Sequence, residues 1–317
     1  MTRAFVFPGQ GSQAVGMGRE LAEAFEVARL TFEEVDDALN QRLSRLMFEG
    51  PDADLTLTEN AQPALMAVSV AVMRVLKDQG GLDFGKHAAF VAGHSLGEYS
   101  ALCAAGAFSL ADTARLLKLR GQAMQKAVPV GQGAMAALLG AELEQAQSIA
   151  ADAAAQGAQG DVCTVANDNS SGQVVISGHA EAIDRAIMLA AERGLKRSVR
   201  LPVSAPFHCA LMQPAADAMA EALANVTINA PAVPVVANVT ASAVSDPNTI
   251  RRLLVEQVTG MVRWRESVLF MKEQGVDSLV ELGSGKVLSG LAKRIDKELA
   301  GTSVQGPADV ESFLKTL

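Results

Sequence analysis

Gly93-His94-Ser95-Leu96-Gly97 forms a G-x-S-x-G pentapeptide between an apolar run, Ala88–Ala92, and a helical stretch. A serine on so sharp a strand-to-helix turn needs small neighbours, and the turn lifts its hydroxyl above the sheet end as a nucleophile. The N–H that follows the serine, that of Leu96, then points at the oxyanion of an attacked carbonyl, reinforced by the helix N-terminus. A nucleophilic serine needs a base, and the chain has four histidines. His94 adjoins the serine, so its side chain leaves the turn in another direction. His87 is expected at the start of the strand, at the sheet end away from the turn, and His179 opens a helix and suits a cap. His208 remains, in the loop Ser204-Ala205-Pro206-Phe207-His208, and it follows the serine in chain order. Of the acids between them, Asp161, Asp168 and Asp184 all fall in a separate segment. The expectation is a Ser–His dyad whose second ring nitrogen finds another acceptor, such as a backbone carbonyl.

Three other segments invite chemistry. Phe7-Pro8-Gly9-Gln10-Gly11-Ser12-Gln13 follows the first apolar run, and Gly9 to Ala14 formally fits a dinucleotide fingerprint. The fingerprint requires a second strand ending in an acid about 20 residues on, and that stretch is helical in pattern. A glycine-rich loop beside the serine turn instead suits the second oxyanion donor, from Gln10. Gly283-Ser284-Gly285-Lys286 resembles part of a phosphate loop but fails on spacing, with Val280 and Val287 at the required Gly and Ser/Thr positions. Cys209 beside His208 reads as a small core residue.

Elements must hold these residues. Ala4–Phe7 reads as a strand and Gly18–Val35 as a helix. A second helix is expected over Ala61–Lys77, with Asn60 as its cap and Pro63 in its first turn. Ser109-Leu110-Ala111-Asp112 resembles a capping box opening a helix to Lys126. From Val128 to Leu201 the rhythm changes. Met135–Leu139, Glu142–Ala154, Val162–Ala166, Val174–Ser177, Ala180–Glu192 and Lys196–Leu201 alternate as β-α-β-β-α-β, with Asn167–Gly172 as a polar turn. Thereafter Val233–Ala237 and Ser278–Leu282 read as strands, and Thr249–Val258, Trp264–Gln274 and Val287–Ala300 as helices. The fold class is α/β. An α/β-hydrolase-like core with a parallel sheet, residues 1–127 and 203–317, carries an inserted ferredoxin-like α+β subdomain, residues 128–202.

Composition narrows the function. The 317 residues are 49% hydrophobic and 20% charged, which excludes disorder. A net charge of −8 argues against nucleic-acid and anionic-membrane partners, and 4% aromatics against a base-stacking platform. The cysteines Cys103, Cys163 and Cys209 lack metal-ligand spacing, so no metal is expected. The N-terminal apolar run is too short for a signal peptide and Ala64–Met73 too short for a membrane span, which makes the cytoplasm the expected location.

FPGQGSQ at the N-terminus, GHSLGE at 93–98, PFH at 206–208 and LGSGKVL at 282–288 occur in that order. Together they resemble the malonyl-CoA:acyl-carrier-protein transacylase family over Phe5–Leu299. The resemblance implies Ser95 as the acylated nucleophile, His208 as its base and the Gln257 main-chain carbonyl as the acceptor that orients the histidine. It implies the N–H groups of Gln10 and Leu96 as oxyanion donors. It also implies Arg120 as the malonyl carboxylate clamp, although the residue alone reads as a solvated helix charge. Leu96 and Phe207 resemble malonyl-selective members, and Ser284 departs from a common proline at a turn away from the chemistry. The implied substrates are malonyl-CoA and acyl carrier protein, with no cofactor. Both are acidic, so docking would need local positive charge, with Arg115, Lys118, Lys196, Arg197, Arg200 and Lys286 as candidates. A serine hydrolase, a polyketide or malonate-decarboxylase transferase, and a non-catalytic binding subunit are the rivals.

Overall fold

The computed structural model describes all residues from Met1 to Leu317. Its ten strands are β1 (Arg3–Phe7), β2 (Phe90–Gly93), β3 (Gly133–Leu139), β4 (Cys163–Ser170), β5 (Gln173–His179), β6 (Arg197–Arg200), β7 (Val235–Ala237), β8 (Ser242–Val244), β9 (Ser278–Leu282) and β10 (Ala300–Val304). They form two sheets. The larger has the order β10-β9-β1-β2-β7-β8, parallel throughout except for the antiparallel β8 at one edge. The smaller has the order β4-β5-β3-β6, with every pair antiparallel.

The inner strands β1, β2, β7 and β9 are buried on both faces, which is why they are largely apolar without alternation. Phe5, Phe7, Val91, Val235 and Val280 point to one face and join the main core, which includes the long helix Thr58–Gly80. Ala4, Val6, Ala92, Val236 and Leu279 point to the other, against Trp264, Val268 and Met271. The small sheet also divides its residues by parity. Ala134, Ala136 and Leu138 pack on the helices Leu143–Ala155 and Ala180–Glu192, whereas Met135 and Ala137 face the main core. A period-two strand thus gives one face to its own helices and the other to the larger unit. No helix is long and apolar enough to cross a membrane.

Some elements differ from the sequence expectation. The first helix is two, Arg19–Ala24 and Glu26–Leu39, because Phe25 between them is extended at φ −131°, ψ 121°. The second begins at Thr58 with Leu57 at its cap position. Asn60 instead lies in the first turn, where its amide bonds the Asp54 carbonyl and accepts from Gln41 and Lys118. Ser109 does cap its helix, accepting from the Asp112 N–H at 3.1 Å. β4 runs on to Ser170, bulged twice, so the turn shrinks to Ser171-Gly172. The last long helix stops at Ile295, and Ala300–Val304 is an edge strand whose polar residues gave little periodicity. His87 closes a short helix, Phe84–His87, ahead of β2.

Candidate active site

β2 ends at Gly93, and the helix Gly97–Ala104 starts at once. The turn between them is possible only because two positions lack a side chain. A Cβ on Gly93 would lie 1.9 Å from the Gly97 backbone, and one on Gly97 would lie 2.2 Å from the Phe7 carbonyl oxygen. Ser95 sits at the apex with φ +54°, a left-handed conformation that a serine adopts only under constraint. The constraint comes from Asn238, just past β7. Its Oδ1 accepts the Ser95 N–H at 2.8 Å and its Nδ2 donates to the Gly93 carbonyl at 2.7 Å.

His208 reaches this apex from the loop that returns the chain to the larger unit. Ser95 Oγ and His208 Nε2 are 2.7 Å apart. His208 Nδ1 lies 2.9 Å from the Gln257 carbonyl and 3.1 Å from that of Gly260. Carbonyls only accept, so Nδ1 carries the hydrogen and Nε2 is the bare acceptor facing the serine hydroxyl. Burial, helped by the nearby Arg120 charge, holds the His208 imidazolium value down to about 3. The ring is therefore neutral, as a base must be before it acts.

Arg120, on the helix Leu110–Ala127, is not the solvated charge that its residue type suggests. It is 1% exposed. One terminal nitrogen donates to Gln62 Oε1 at 2.8 Å; the other donates to Gln257 Oε1 at 2.9 Å and Ser95 Oγ at 3.1 Å. Its Nε–H has no partner within the protein. Ser95, His208 and Arg120 line one cavity of about 460 Å³ with Gln10, Leu96 and Phe207. Met135, Asn167 and Leu201 supply the wall from the smaller unit. The Gln10 and Leu96 backbone N–H groups are left without internal partners. The site therefore unites a serine with an aligned base, two free N–H donors and a buried guanidinium. That set can attack a carbonyl, hold the resulting oxyanion and grip an anionic tail.

The chain matches the acyl transferase domain family over residues 4–301. It is 47% identical to the malonyl CoA-acyl carrier protein transacylase of Escherichia coli (strain K12) over 312 residues, 98% of each chain. Among solved structures, the acyl-carrier-protein-S-malonyltransferase of Bartonella henselae superposes with a TM-score of 0.96 at 57% identity, covering 100% of this chain and 99% of that one. A malonyl-transacylase solved in complex with a type II PKS acyl-carrier protein gives 0.95 at 44% identity, with both chains covered completely. The chain belongs to the malonyl-CoA:acyl-carrier-protein transacylase family. It is an acyltransferase.

Sequence reasoning did not find all of this acyltransferase's site. Asn238 and Gln62 carried no motif, and Glu98, although inside GHSLGE, gave no sign of being 2% exposed. His94, half-buried at the cavity, bonds Asn169 of β4 at 2.8 Å through Nε2 and so ties the serine turn to the smaller unit. Cys209 is a core residue, with burial raising its thiol pKa. None of the six candidate docking cations lines the cavity. Lys118 pairs with Glu59, Arg115 with Asp112 and Arg200 with Asp184; Lys196, Arg197 and Lys286 are exposed. β6, which bears Arg197 and Arg200, leads directly into Leu201, Pro202 and Val203 of the cavity wall. No three His, Cys, Asp or Glu side chains gather at one point to hold a metal ion.

Proposed function

We propose that this acyltransferase moves the malonyl group of malonyl-CoA to the phosphopantetheine thiol of acyl carrier protein, in fatty acid synthesis, through a malonyl ester of Ser95. The observation that carries this reading is the Ser95–His208 contact of 2.7 Å beside the buried Arg120. His208 takes the Ser95 proton as Oγ attacks the thioester carbonyl. The N–H groups of Gln10 and Leu96 hold the tetrahedral oxyanion, each contributing about 3 kcal/mol. His208 returns the proton to the departing CoA thiolate, and the carrier thiol then repeats the sequence on malonyl-Ser95. The Gln257 carbonyl keeps the imidazole in the required tautomer. Arg120 offers its fork to the malonyl carboxylate, exchanging its contact with Ser95 Oγ for charge-assisted bonds.

The reading has two units meeting at the cleft: an α/β-hydrolase-like core of residues 1–127 and 203–317, and a ferredoxin-like subdomain of residues 128–202. The five parallel strands with the serine at the end of β2, and the β4-β5-β3-β6 order with helices on one face, support this division. Arg197 and Arg200, beside the cavity wall, suit an acidic carrier. The reading places the enzyme in the cytoplasm and requires neither metal nor redox cofactor, because each half-reaction is an acyl exchange between a thioester and the Ser95 ester, and the net reaction replaces one thioester by another.

The test is to mix enzyme with malonyl-CoA and follow intact mass and free CoA. A malonyl adduct at Ser95 that carrier protein discharges, and that Ser95→Ala lacks, is the expected result. Continuous CoA release with no thiol acceptor would identify a hydrolase instead.

A further inference from the structure

The hydrogen bonds that shape the site converge on one buried carboxylate outside the Ser–His pair. Glu98 lies in the first turn of the helix after Ser95 and is 2% exposed. Its Oε2 accepts from the Asn238 backbone N–H at 3.0 Å and from Gln257 Nε2 at 2.9 Å. Asn238 in turn fixes the serine turn through Ser95 N–H and the Gly93 carbonyl. Gln257 donates a second bond to the Ser95 carbonyl at 2.9 Å and turns its Oε1 to Arg120. We propose that Glu98 is a positioning residue for substrate selectivity: its acceptor oxygen fixes the Gln257 amide so that the oxygen end meets Arg120.

The physical reason is the two-ended character of the amide. A glutamine offers an acceptor at one end and two donors at the other, and the ends differ little in shape. Arg120, which can only donate, needs the acceptor end; Glu98 Oε2 and the Ser95 carbonyl need the donor end. With Glu98 Oε2 withdrawn, one Gln257 N–H and the Asn238 N–H lose their partner in a buried region, and the stated orientation loses half its support. Arg120 then loses a fixed neighbour, and the guanidinium is free to turn from the direction in which a carboxylate must meet it. The role belongs to the acceptor oxygen and does not require the charge. Burial pushes the Glu98 carboxyl up to about 7, with Arg120 and Tyr99 as its charged or titratable neighbours, and either protonation state leaves an oxygen to accept.

This inference rests on Arg120 as the carboxylate clamp, and two substitutions separate the acceptor from the charge. Glu98→Gln keeps an oxygen at the Oε2 position and removes the charge. Glu98→Asp keeps the charge and withdraws the oxygen by one methylene. The ratio of kcat/KM for malonyl-CoA to that for acetyl-CoA is measured for both, with melting temperatures, beside Arg120→Ala. Glu98→Asp is expected to lower the ratio about tenfold, the scale of one lost charge-assisted hydrogen bond, and Glu98→Gln to stay within about threefold of the parent. Loss in Glu98→Gln with retention in Glu98→Asp would assign the effect to charge and overturn the proposal. Unchanged ratios in both, with lowered melting temperatures, would reduce Glu98 to a structural residue and overturn it too. A ratio unmoved in Arg120→Ala sinks the clamp reading itself; one that moves there but not in Glu98→Asp sinks this proposal alone.

Discussion

Replacing Arg120 with alanine should change which acyl group the enzyme accepts far more than how fast it acylates. A guanidinium has five N–H donors. Three are engaged, by Gln62, Gln257 and Ser95, which leaves the unpartnered Nε–H and one terminal hydrogen, plus the bond to Ser95 Oγ that acylation releases. A malonyl carboxylate can therefore draw two charge-assisted bonds without dismantling the contacts that fix the arginine. At about 1.5–3 kcal/mol each in a buried setting, they sum to roughly 3–6 kcal/mol. Taking the lower end, because neighbouring bonds in one network do not add, malonyl-CoA should lose roughly 100-fold in kcat/KM. Acetyl-CoA has no carboxylate and should lose only what the Ser95 Oγ contact contributes to both substrates. Arg120→Lys keeps the charge but not the fork, and should fall nearer to alanine than to the parent. The assay is CoA release in the pre-steady state with each thioester, carrier protein absent, so that acylation alone is read. Equal losses for the two substrates would refute the reasoning, because they would mean that Arg120 acts on the serine and not on the acyl tail.

Other consequences can be checked separately. Gly97→Ala places a methyl 2.2 Å from the Phe7 carbonyl oxygen and should cost at least about 2 kcal/mol in chemical denaturation, together with Ser95 acylation; parental stability would contradict the close approach. Because His208 is held down to about 3 against an ordinary 6.5, acylation should show no midpoint near 6.5, and a steep loss centred there would refute its buried, neutral state. In linkage terms, His208 contributes stability that is complete above pH 6.5 and drains as pH falls toward 3, whereas Glu98, raised from 4.5 to about 7, contributes stability that is complete below pH 4.5 and is lost as pH rises through 7. The melting temperature of Glu98→Gln relative to the parent should therefore climb between pH 4.5 and 7, and a flat difference would count against the shift. Arg265→Ala leaves the buried Asp168 carboxylate of β4 without its partner at 3.0 Å and should destabilise by about 2 kcal/mol, discounted for the partial exposure of Arg265. Adding Asp168→Asn should recover part of that loss.

The sequence made legible what depends on local geometry. Gly93 and Gly97 declare the turn because no other residue fits where a Cβ would overlap backbone, and the apolar strand before them declares the sheet. His208 was reachable by elimination among few histidines. The remainder of the site is set by contacts far apart in the chain. Asn238 lies 143 residues from the Ser95 N–H that it accepts, and Gln257 lies 159 from Glu98. Such pairs have no period and no motif. Arg120 shows the limit most plainly, since a helical arginine followed by glycine has the pattern of a surface residue, yet it is buried beside Ser95. The misplaced boundaries have the same origin. Phe25 interrupts an otherwise helical run, and Ala300–Val304 becomes a strand only because β9 offers it an edge.

The acid missing from the proposed dyad has a structural replacement. A Ser–His–Asp site sets the histidine tautomer and stabilises the imidazolium that forms during attack with one carboxylate. Here the two acceptors of His208 Nδ1, the carbonyls of Gln257 and Gly260, belong to the last turn and the C-cap of the helix Pro247–Thr259. Carbonyls at a helix C-terminus have no intrahelical donors and carry the negative end of the helix dipole. They therefore fix the tautomer as an aspartate would, and in the proposed mechanism they would favour the transient imidazolium by up to about 2 kcal/mol when partly buried. A full carboxylate at that position would stabilise imidazolium in the resting site as well. It would also set a second negative charge near Arg120, where the proposed substrate brings its own. A fractional charge serves the base without competing for the guanidinium, which makes a dyad oriented by carbonyls a coherent partner for a site that binds an anionic acyl group.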